Sequence, residues 1–264
     1  MSQLWPALSL QIPKIINGTL VTVISALVCM VLAMVFAIPT GLGRLSRVPA
    51  IRGVSTLYVE VIRGTPLLLQ LLIWFFGVKI VLLTLFNLNI DTAVYNLMTS
   101  LNSNNLYPSF GVSGIFFAVI GLSFNYGAYL AEVIRAGVMA VDTGQTEASL
   151  SLGFSRLQTT RYIVLPQALR IMIPPITNNF ITLVQDTAFL SILAVPELAL
   201  ATQSVAQLTN NNFIRWEFFS VALAIYFVIC YSLALISRNL EARNASGVRT
   251  RRPMFGLPRL QRAH

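Results

Sequence analysis

Five apolar runs, each long enough to cross a lipid bilayer, limit what this chain can fold into. A helix needs about 20 mostly apolar residues to span the hydrocarbon core. Only 10% of the residues are charged and 56% are hydrophobic, whereas soluble domains carry about 25% charged residues. We therefore predict an all-α, polytopic membrane protein with about five transmembrane helices in one domain, residues 1–241. The predicted spans cover residues 15–43, 55–85, 114–138, 167–193 and 218–236.

Basic residues flank these runs and predict the orientation of the chain. One cluster lies between residues 44 and 52, a second between residues 156 and 170, and a third begins at Arg238. Cytoplasmic loops of membrane proteins are enriched in Lys and Arg. The pattern predicts an N-terminus outside the membrane and a basic cytoplasmic tail over residues 242–264. Because the net charge of +9 is concentrated beside the spans, it indicates topology rather than nucleic-acid binding.

The side chains needed for catalysis or metal binding are scarce. Cys29 and Cys230 lie in different apolar runs without CxxC spacing, which disfavours a disulfide framework or a zinc site. The single histidine is His264, and no lysine follows a glycine, so the chain has no Walker A loop. We predict no enzymatic activity, no cofactor and no metal site. Any ATP-driven work then requires a partner chain.

A polar segment over residues 139–166 separates the third and fourth predicted spans on the cytoplasmic side. A turn over residues 142–144 and a short helix over residues 145–152 are expected there. Gly153 permits a sharp bend, and Pro166 suits the first turn of the next helix, where its missing N–H costs little. We therefore predict a rigid elbow, and an ordinary polar loop is the alternative.

The elbow has a distinctive spacing of acidic, small and apolar residues. It reads Glu147-Ala148-Ser149, three residues, Gly153, nine residues, Ile163, one residue and Leu165-Pro166. This spacing resembles the cytoplasmic loop through which the membrane subunits of ATP-binding-cassette (ABC) importers dock onto a separate ATPase. The resemblance implies that the residues that couple this chain to the ATPase are Gly144, Gln145, Glu147, Ala148, Ser149, Gly153, Leu165 and Pro166.

Further matches surround the elbow. They are Tyr58 to Glu60, Arg63 to Gln70, Tyr129 to Arg135, Leu165 to Arg170, Pro174, Asn178, Asn179, Gln185 to Thr187 and Glu197. Over about residues 18–238 the chain thus resembles the polar amino-acid permease family of ABC importers, the histidine/glutamine permease type. The resemblance implies a type I ABC importer permease fold with cytoplasmic coupling helices, in the bacterial inner (plasma) membrane.

The same resemblance implies a function and a set of partners. The chain would form the transmembrane part of an importer that moves polar L-amino acids into the cytoplasm. Its partners would be ABC ATPase subunits, a second permease subunit (a copy or a related chain), a periplasmic or extracellular amino-acid-binding protein and membrane lipid.

Three departures from the family pattern stand out. Ser149 occupies a position that is usually Ala, and Ala136 one that is commonly Gly. The family's usual Lys-Asp-Thr-Ser-Leu is replaced here by residues 185–189, Gln-Asp-Thr-Ala-Phe. The last change removes a cation and a hydroxyl group near the expected substrate path.

The second predicted span carries charges inside the membrane. Glu60 and Arg63 are three residues apart and share a helix face, and intramembrane charges usually face a cavity or one another. Pro66 cannot donate to the carbonyl four residues earlier, which leaves polar backbone for ligand or water. Arg63, with Thr65 and Gln70, is therefore a candidate to receive a zwitterionic amino acid or to shape its gate. The alternative is a neutralising pair that holds helices or subunits together.

Asp186 is the corresponding candidate in the fourth predicted span, with Gln185 and Thr187 beside it. Its carboxylate could meet an α-ammonium group, or it could pair with a cation from another helix. Glu132 and Arg135 are better explained as a structural pair near the cytoplasmic end of the third span.

Other hypotheses concern the outer side and the mechanism. Glu197 and Gln203 are candidates for an outer gate or for the surface that docks a binding protein. An ion-coupled secondary amino-acid carrier, with Glu60 and Asp186 as proton sites, is the alternative to an ABC importer, but it does not explain the elbow. A membrane enzyme is disfavoured because the sequence lacks a nucleophile–base pair.

Overall fold

The computed structural model describes residues 4–89, 92–93, 96, 112–208 and 211–247. These residues form helices and connecting turns, with no strand among them. We number the helices as α1 (Leu4–Arg44), α2 (Pro49–Arg63), α3 (Leu67–Phe86), α4 (Val112–Met139), α5 (Thr143–Ser151), α6 (Arg156–Leu193), α7 (Leu198–Ala206) and α8 (Asn212–Gly247).

Four of these helices are long and apolar enough to cross a membrane: α1, α3, α4 and α8. A fifth span is formed by α6 and α7 together, which are bent by 52° at the short break between them. The predicted all-α, polytopic fold with about five spans is therefore confirmed. The sequence also predicts an outside loop over residues 87–113, and most of this loop, like the tail beyond residue 247, lies outside the described residues.

The second predicted span, residues 55–85, is not one helix. The last helical bond of α2 runs from Gly64 N to Glu60 O at 2.9 Å, and the chain is helical again only from Leu67. A residue that precedes proline avoids the α conformation, and Pro66 has no N–H to donate. The apolar helix α3 crosses the membrane, while α2 precedes it as a separate helix.

The fourth span begins earlier than predicted and includes Pro166 in its interior. Helix α6 starts at Arg156 and passes through a π-helical segment over Thr160–Val164. Leu165 N donates to Thr160 O, five residues back. This wider turn makes room for the ring of Pro166, which would otherwise clash with a preceding carbonyl. The proline lies in the first turn of the α-helical stretch Leu165–Asp186, as predicted, and a π-helical turn precedes it within α6.

Helix α4 lies at the centre of the molecule. In its most apolar stretch 72% of the residues are buried, compared with 11% in α3 and in α8. Helix α1 runs along α4 over most of its length, and small residues permit the close approach. A Cβ added to Gly41 would lie 2.8 Å from Ala131 O, and one added to Gly127 would lie 2.7 Å from Phe36 Cβ. Arg63 and Asp186 each contact α4, and the elbow follows directly after it.

Candidate coupling segment and substrate path

The elbow begins with a capped short helix. The carboxylate of Asp142 accepts a hydrogen bond from Gly144 N at 2.7 Å, and Gln145 N donates to Asp142 O at 3.1 Å. Because this N-cap satisfies backbone donors that would otherwise be free, α5 starts at Thr143, two residues before the predicted position. Thr143 and Gly144 consequently lie in the first turn of the helix, with Gln145, and not in a preceding turn.

The bend at Gly153 follows from its backbone conformation. Gly153 has a φ of +85°, which L-residues with a side chain rarely adopt. Gly153 N donates to Leu150 O at 3.0 Å and Phe154 N donates to Ser149 O at 3.1 Å. These two bonds form a Schellman motif, which ends a helix sharply.

The second arm of the elbow starts immediately with its own cap. Ser155 N donates to Gln158 Oε1 at 2.8 Å, and Gln158 N donates to Ser155 Oγ at 3.3 Å. This reciprocal arrangement is a capping box. Across the bend, the buried Ser149 Oγ lies 2.9 Å from Thr159 Oγ1. The serine that replaces the family's usual alanine therefore links the two arms.

The elbow exposes apolar side chains at its tip. Leu152 is 79% exposed, Leu157 is 77% exposed and Phe154 is 38% exposed. Of the predicted coupling residues, only Ser149 is buried; the exposed ones are Gly144, Gln145, Glu147, Ala148, Gly153, Leu165 and Pro166. Exposed apolar groups on a rigid polar projection are typical of a protein-binding surface. We call Leu152, Phe154 and Leu157 the elbow tip.

A network of ion pairs joins α1, α2 and α4 at the ends nearest the elbow. Arg44 lies 2.5 Å from Glu132 and 3.3 Å from Glu60, and Glu132 lies 2.5 Å from Arg135. The expected Glu132–Arg135 pair is present, and Arg44 adds a third member. Glu60 pairs with Arg44 and forms no ion pair with Arg63, so the suggested Glu60–Arg63 pair is absent from the described residues.

Arg63 lies at the end of α2, beside an aromatic ring of α4. Its guanidinium carbon is 5.4 Å from the centre of the Tyr129 ring, a cation–π distance. Among the described residues Arg63 forms no ion pair, and its side chain is exposed. The positive charge is therefore available to an anionic group.

The polar groups at the break between α2 and α3 are used inside the protein. Gln70 Nε2 donates to Ile62 O at 2.8 Å and lies 2.7 Å from Thr65 Oγ1. Gln70 Oε1 accepts from Asn125 Nδ2 at 2.9 Å. The carbonyl that Pro66 leaves without a partner is thus satisfied by the Gln70 side chain, not left for ligand or water. Sequence reasoning missed Asn125, although an asparagine in an apolar span was the available signal.

Asp186 contacts the same side of α4 as Arg63. Tyr126 Oη donates to Asp186 Oδ2 at 2.7 Å. The rings of Tyr126 and Tyr129 have centres 6.1 Å apart, as expected for residues three apart on one helix face. The two tyrosines therefore connect the predicted cation, Arg63, to the predicted anion, Asp186.

The residues beside Asp186 point elsewhere. Thr187 is fully buried and donates to Val184 O at 2.7 Å. Gln185 instead lines a cleft of about 550 Å³ between α6 and α8, together with Tyr226 and Cys230. The structure therefore does not bring Gln185 and Thr187 together with the Asp186 carboxylate.

Glu197 is completely buried. It caps α7 by accepting from Ala199 N and Leu200 N, each at 2.8 Å, and from Tyr226 Oη at 2.8 Å. A side chain enclosed in this way is not available to a docking protein. The suggestion that Glu197 forms a docking surface is therefore wrong, whereas Gln203 is exposed.

These features define a class of protein. Several helices cross the membrane, and a rigid elbow exposes an apolar tip. Two charged side chains from neighbouring helices, Arg63 and Asp186, contact tyrosines of the central helix α4. Within the described ranges no group of three His, Cys, Asp or Glu residues could hold a metal ion. The molecule is a membrane transport subunit with a surface suited to docking a separate protein.

Comparison with known proteins identifies the family. Residues 33–246 match the family described as binding-protein-dependent transport system inner membrane component, and the chain belongs to it. The chain is 34% identical to the L-cystine transport system permease protein TcyB of Bacillus subtilis (strain 168), covering 90% of this chain and 87% of that protein. It is 31% identical to the glutamine transport system permease protein GlnP of Escherichia coli (strain K12), covering 92% of this chain and 96% of the relative.

Solved structures support the same assignment. A crystal structure of an amino acid ABC transporter with histidines matches with a TM-score of 0.71 at 30% identity, over 88% of this chain and 94% of that chain. The inward-facing MetNI methionine ABC transporter matches with a TM-score of 0.57 at 17% identity, over 89% and 98% of the two chains, which concerns the fold alone. The predicted ABC importer permease fold is confirmed. The chain is a multi-pass inner-membrane permease subunit, not an ion-coupled carrier or an enzyme, and it works with an ATPase and a binding protein.

Proposed function

We propose that this permease subunit moves L-amino acids with polar groups into the cytoplasm. The observation that carries this proposal is the pairing of Arg63 and Asp186 with two neighbouring tyrosines on α4. A free amino acid carries one carboxylate and one ammonium group, so it offers a partner to each side chain. The similarity to cystine and glutamine permeases supports the same substrate class.

The substrate path contains groups of two kinds. Arg63 receives the α-carboxylate and Asp186 receives the α-ammonium group, and Thr65 lies at the adjacent helix break. Four further side chains shape the path without binding the substrate directly. Glu60 pairs with Arg44, Gln70 and Thr187 form hydrogen bonds within the protein, and Gln185 lines the neighbouring cleft. Charge pairing inside a membrane is favourable only where both signs are present.

The elbow transmits the work of ATP to this path. The elbow tip contacts the ATPase together with Gly144, Gln145, Glu147 and Ala148. Ser149 and Gly153 keep the elbow rigid, and Leu165 and Pro166 continue its second arm along α6. Helix α6 is continuous from Arg156 to Leu193. At 1.5 Å per residue, Arg156 and Asp186 are about 45 Å apart along it. When the ATPase dimer closes, α6 transmits the motion of the elbow to Asp186. The contacts of Asp186 then differ between the two states of the transporter, as a two-state switch requires.

The assembly and topology complete the proposal. A second permease subunit, a copy or a related chain, and membrane lipid cover the apolar faces that α3 and α8 leave exposed. The N-terminus lies outside, and residues 242–264 form a basic cytoplasmic tail behind a transmembrane domain of residues 1–241. Arginines near the end of α1 and at the elbow support this orientation.

The proposal is tested by uptake into proteoliposomes that contain the permease, its ATPase and its binding protein. We expect ATP-dependent uptake of at least one radiolabelled polar amino acid, with cystine and glutamine as the first substrates to examine. A sugar and a dipeptide serve as controls. Uptake of a control compound in place of every amino acid would contradict the proposal.

A further inference from the structure

The break between α2 and α3 is fastened to α4 by two side-chain amides. Gln70 supplies the donor that Pro66 lacks, at 2.8 Å from Ile62 O, and Asn125 donates to the other end of the same carboxamide at 2.9 Å. Gln70 is 7% exposed and Asn125 is 3% exposed. A glutamine that turned towards a substrate would leave the Ile62 carbonyl with only the long 3.5 Å contact from Thr65 Oγ1, in an environment that has little water to replace the lost bond.

A second anchor lies one helical turn further along α4. Tyr129 follows Asn125 by four residues, so the two side chains share one face about 6 Å apart. Asn125 holds α3 through Gln70, while Tyr129 contacts Arg63 at the end of α2. Helix α4 therefore contacts the chain on both sides of the break.

Helix α2 has an additional attachment to α4 on its own side of the break. Tyr58 Oη donates to Phe124 O at 2.5 Å. With α2 attached through Tyr58 and α3 through Gln70, the course of the chain between them is fixed. Arg63 is the last residue of α2, and its direction depends directly on this course.

We propose that Asn125 and Gln70 are positioning residues of the substrate path. They hold the end of α2 so that the guanidinium of Arg63 lies over Tyr129, and they do not touch the substrate. This inference rests on the proposed role of Arg63 in binding an amino acid. It assigns Gln70 to the support of the site and adds Asn125, which is not among the residues predicted from the sequence.

The position of residue 63 is tested first, without any transport measurement. A cysteine replaces Arg63 in a chain carrying Cys29→Ala and Cys230→Ala, and its modification by a membrane-impermeant maleimide is timed in membranes. We expect Asn125→Leu and Gln70→Met, which keep size but remove hydrogen bonds, to change the rate by about fivefold, because thiol modification depends on exposure. Ser123→Ala is the matched control, since Ser123 is also buried on α4 and bonds to Val119 O of its own helix, while its partner on α1, Cys29, is already replaced in this chain.

The outcome of the labelling is decisive for the inference. An unchanged rate in both isosteric variants would overturn it, whatever the protein transports. If Asn125→Leu does not insert into the membrane, the labelling rate of Gln70→Met decides alone, because this variant removes the same hydrogen bond from the side of Gln70.

Uptake kinetics separate positioning from mere stability. With Arg63 intact, Asn125→Leu and Gln70→Met should raise the half-saturating amino-acid concentration by about tenfold, while the maximal rate per inserted molecule changes little. A lower maximal rate with an unchanged half-saturating concentration would show a structural role only and would overturn the proposal. If the unaltered protein moves no amino acid, the proposed function fails, and the labelling still reports whether the amides position residue 63.

Discussion

At the residue scale, the charges of the substrate path meet aromatic partners instead of counter-ions. Arg63 lies against Tyr129, and Asp186 accepts one hydrogen bond from Tyr126. A tyrosine hydroxyl or ring face leaves the net charge of its partner uncompensated. In contrast, Glu60 and Glu132 both have an arginine within ion-pair distance. Among the described residues neither Arg63 nor Asp186 has an ion-pair partner within 4 Å, and Arg63 interacts with Glu132 only at longer range, so both side chains are suited to a zwitterion.

We expect Asp186→Asn to weaken substrate binding while it preserves the fold. The amide oxygen of asparagine still accepts from Tyr126, but the negative charge for the α-ammonium group is lost. The half-saturating concentration for uptake should rise about tenfold, which corresponds to about 1.4 kcal/mol. Glu217→Gln on α8 removes one carboxylate charge elsewhere and serves as the control. Equal kinetics for Asp186→Asn and the unaltered protein would assign Asp186 a structural role.

At the element scale, the elbow is rigid because every turn in it is capped. The Asp142 cap, the Schellman motif at Gly153 and the Ser155 capping box follow one another within 14 residues, 142–155. Each cap contributes about 1 kcal/mol. Such a segment moves as one body, so a force on the elbow tip is passed to α6.

We expect Gly153→Val to separate ATP hydrolysis from uptake. A β-branched residue is strained at a φ of +85° by about 1–2 kcal/mol, so the bend relaxes and the tip changes direction. Insertion into the membrane should be unaffected, and the ratio of amino acid transported to ATP hydrolysed should fall.

Gly53→Val is the matched control for this experiment. An added Cβ meets no atom within 4 Å at either glycine, but Gly53 lies in the regular helix α2. A normal ratio of transport to hydrolysis in Gly153→Val would argue against the elbow as the coupling element.

At the scale of the whole molecule, the proposed orientation places the elbow tip and the outer end of α3 on opposite sides of the membrane. In a chain carrying Cys29→Ala and Cys230→Ala, Leu152→Cys should react with an impermeant maleimide only from the cytoplasmic side. Asn87→Cys, after the end of α3, should react only from outside. The chain without cysteine is the control. Reversed labelling would contradict the proposed orientation.

Much of the fold was predictable because its signals are local. Apolar length predicts spans, and Gly153 predicts a bend because its conformational freedom is a property of that residue alone. The break at Pro66 was signalled by the proline, yet its consequence was not, because the free carbonyl of Ile62 is satisfied by Gln70, eight residues away. Pro166 lies in the first turn of the α-helix Leu165–Asp186, as predicted, but the π-helical turn before it, which extends α6 back to Arg156, was not predicted.

The sequence by itself determined that this protein crosses the membrane, that a bent polar elbow separates two of its spans and that the sequence holds no Walker A loop. Each of these depends on the length of an apolar run or on a few consecutive residues. Only the tertiary structure decided that Arg44 pairs with Glu60, that Asn125 holds Gln70 and that Glu197 is enclosed. Arg44 and Glu60 are 16 positions apart, and Glu197 also accepts a hydrogen bond from Thr22 Oγ1, 175 positions away. Which helices become neighbours depends on the packing of the whole bundle.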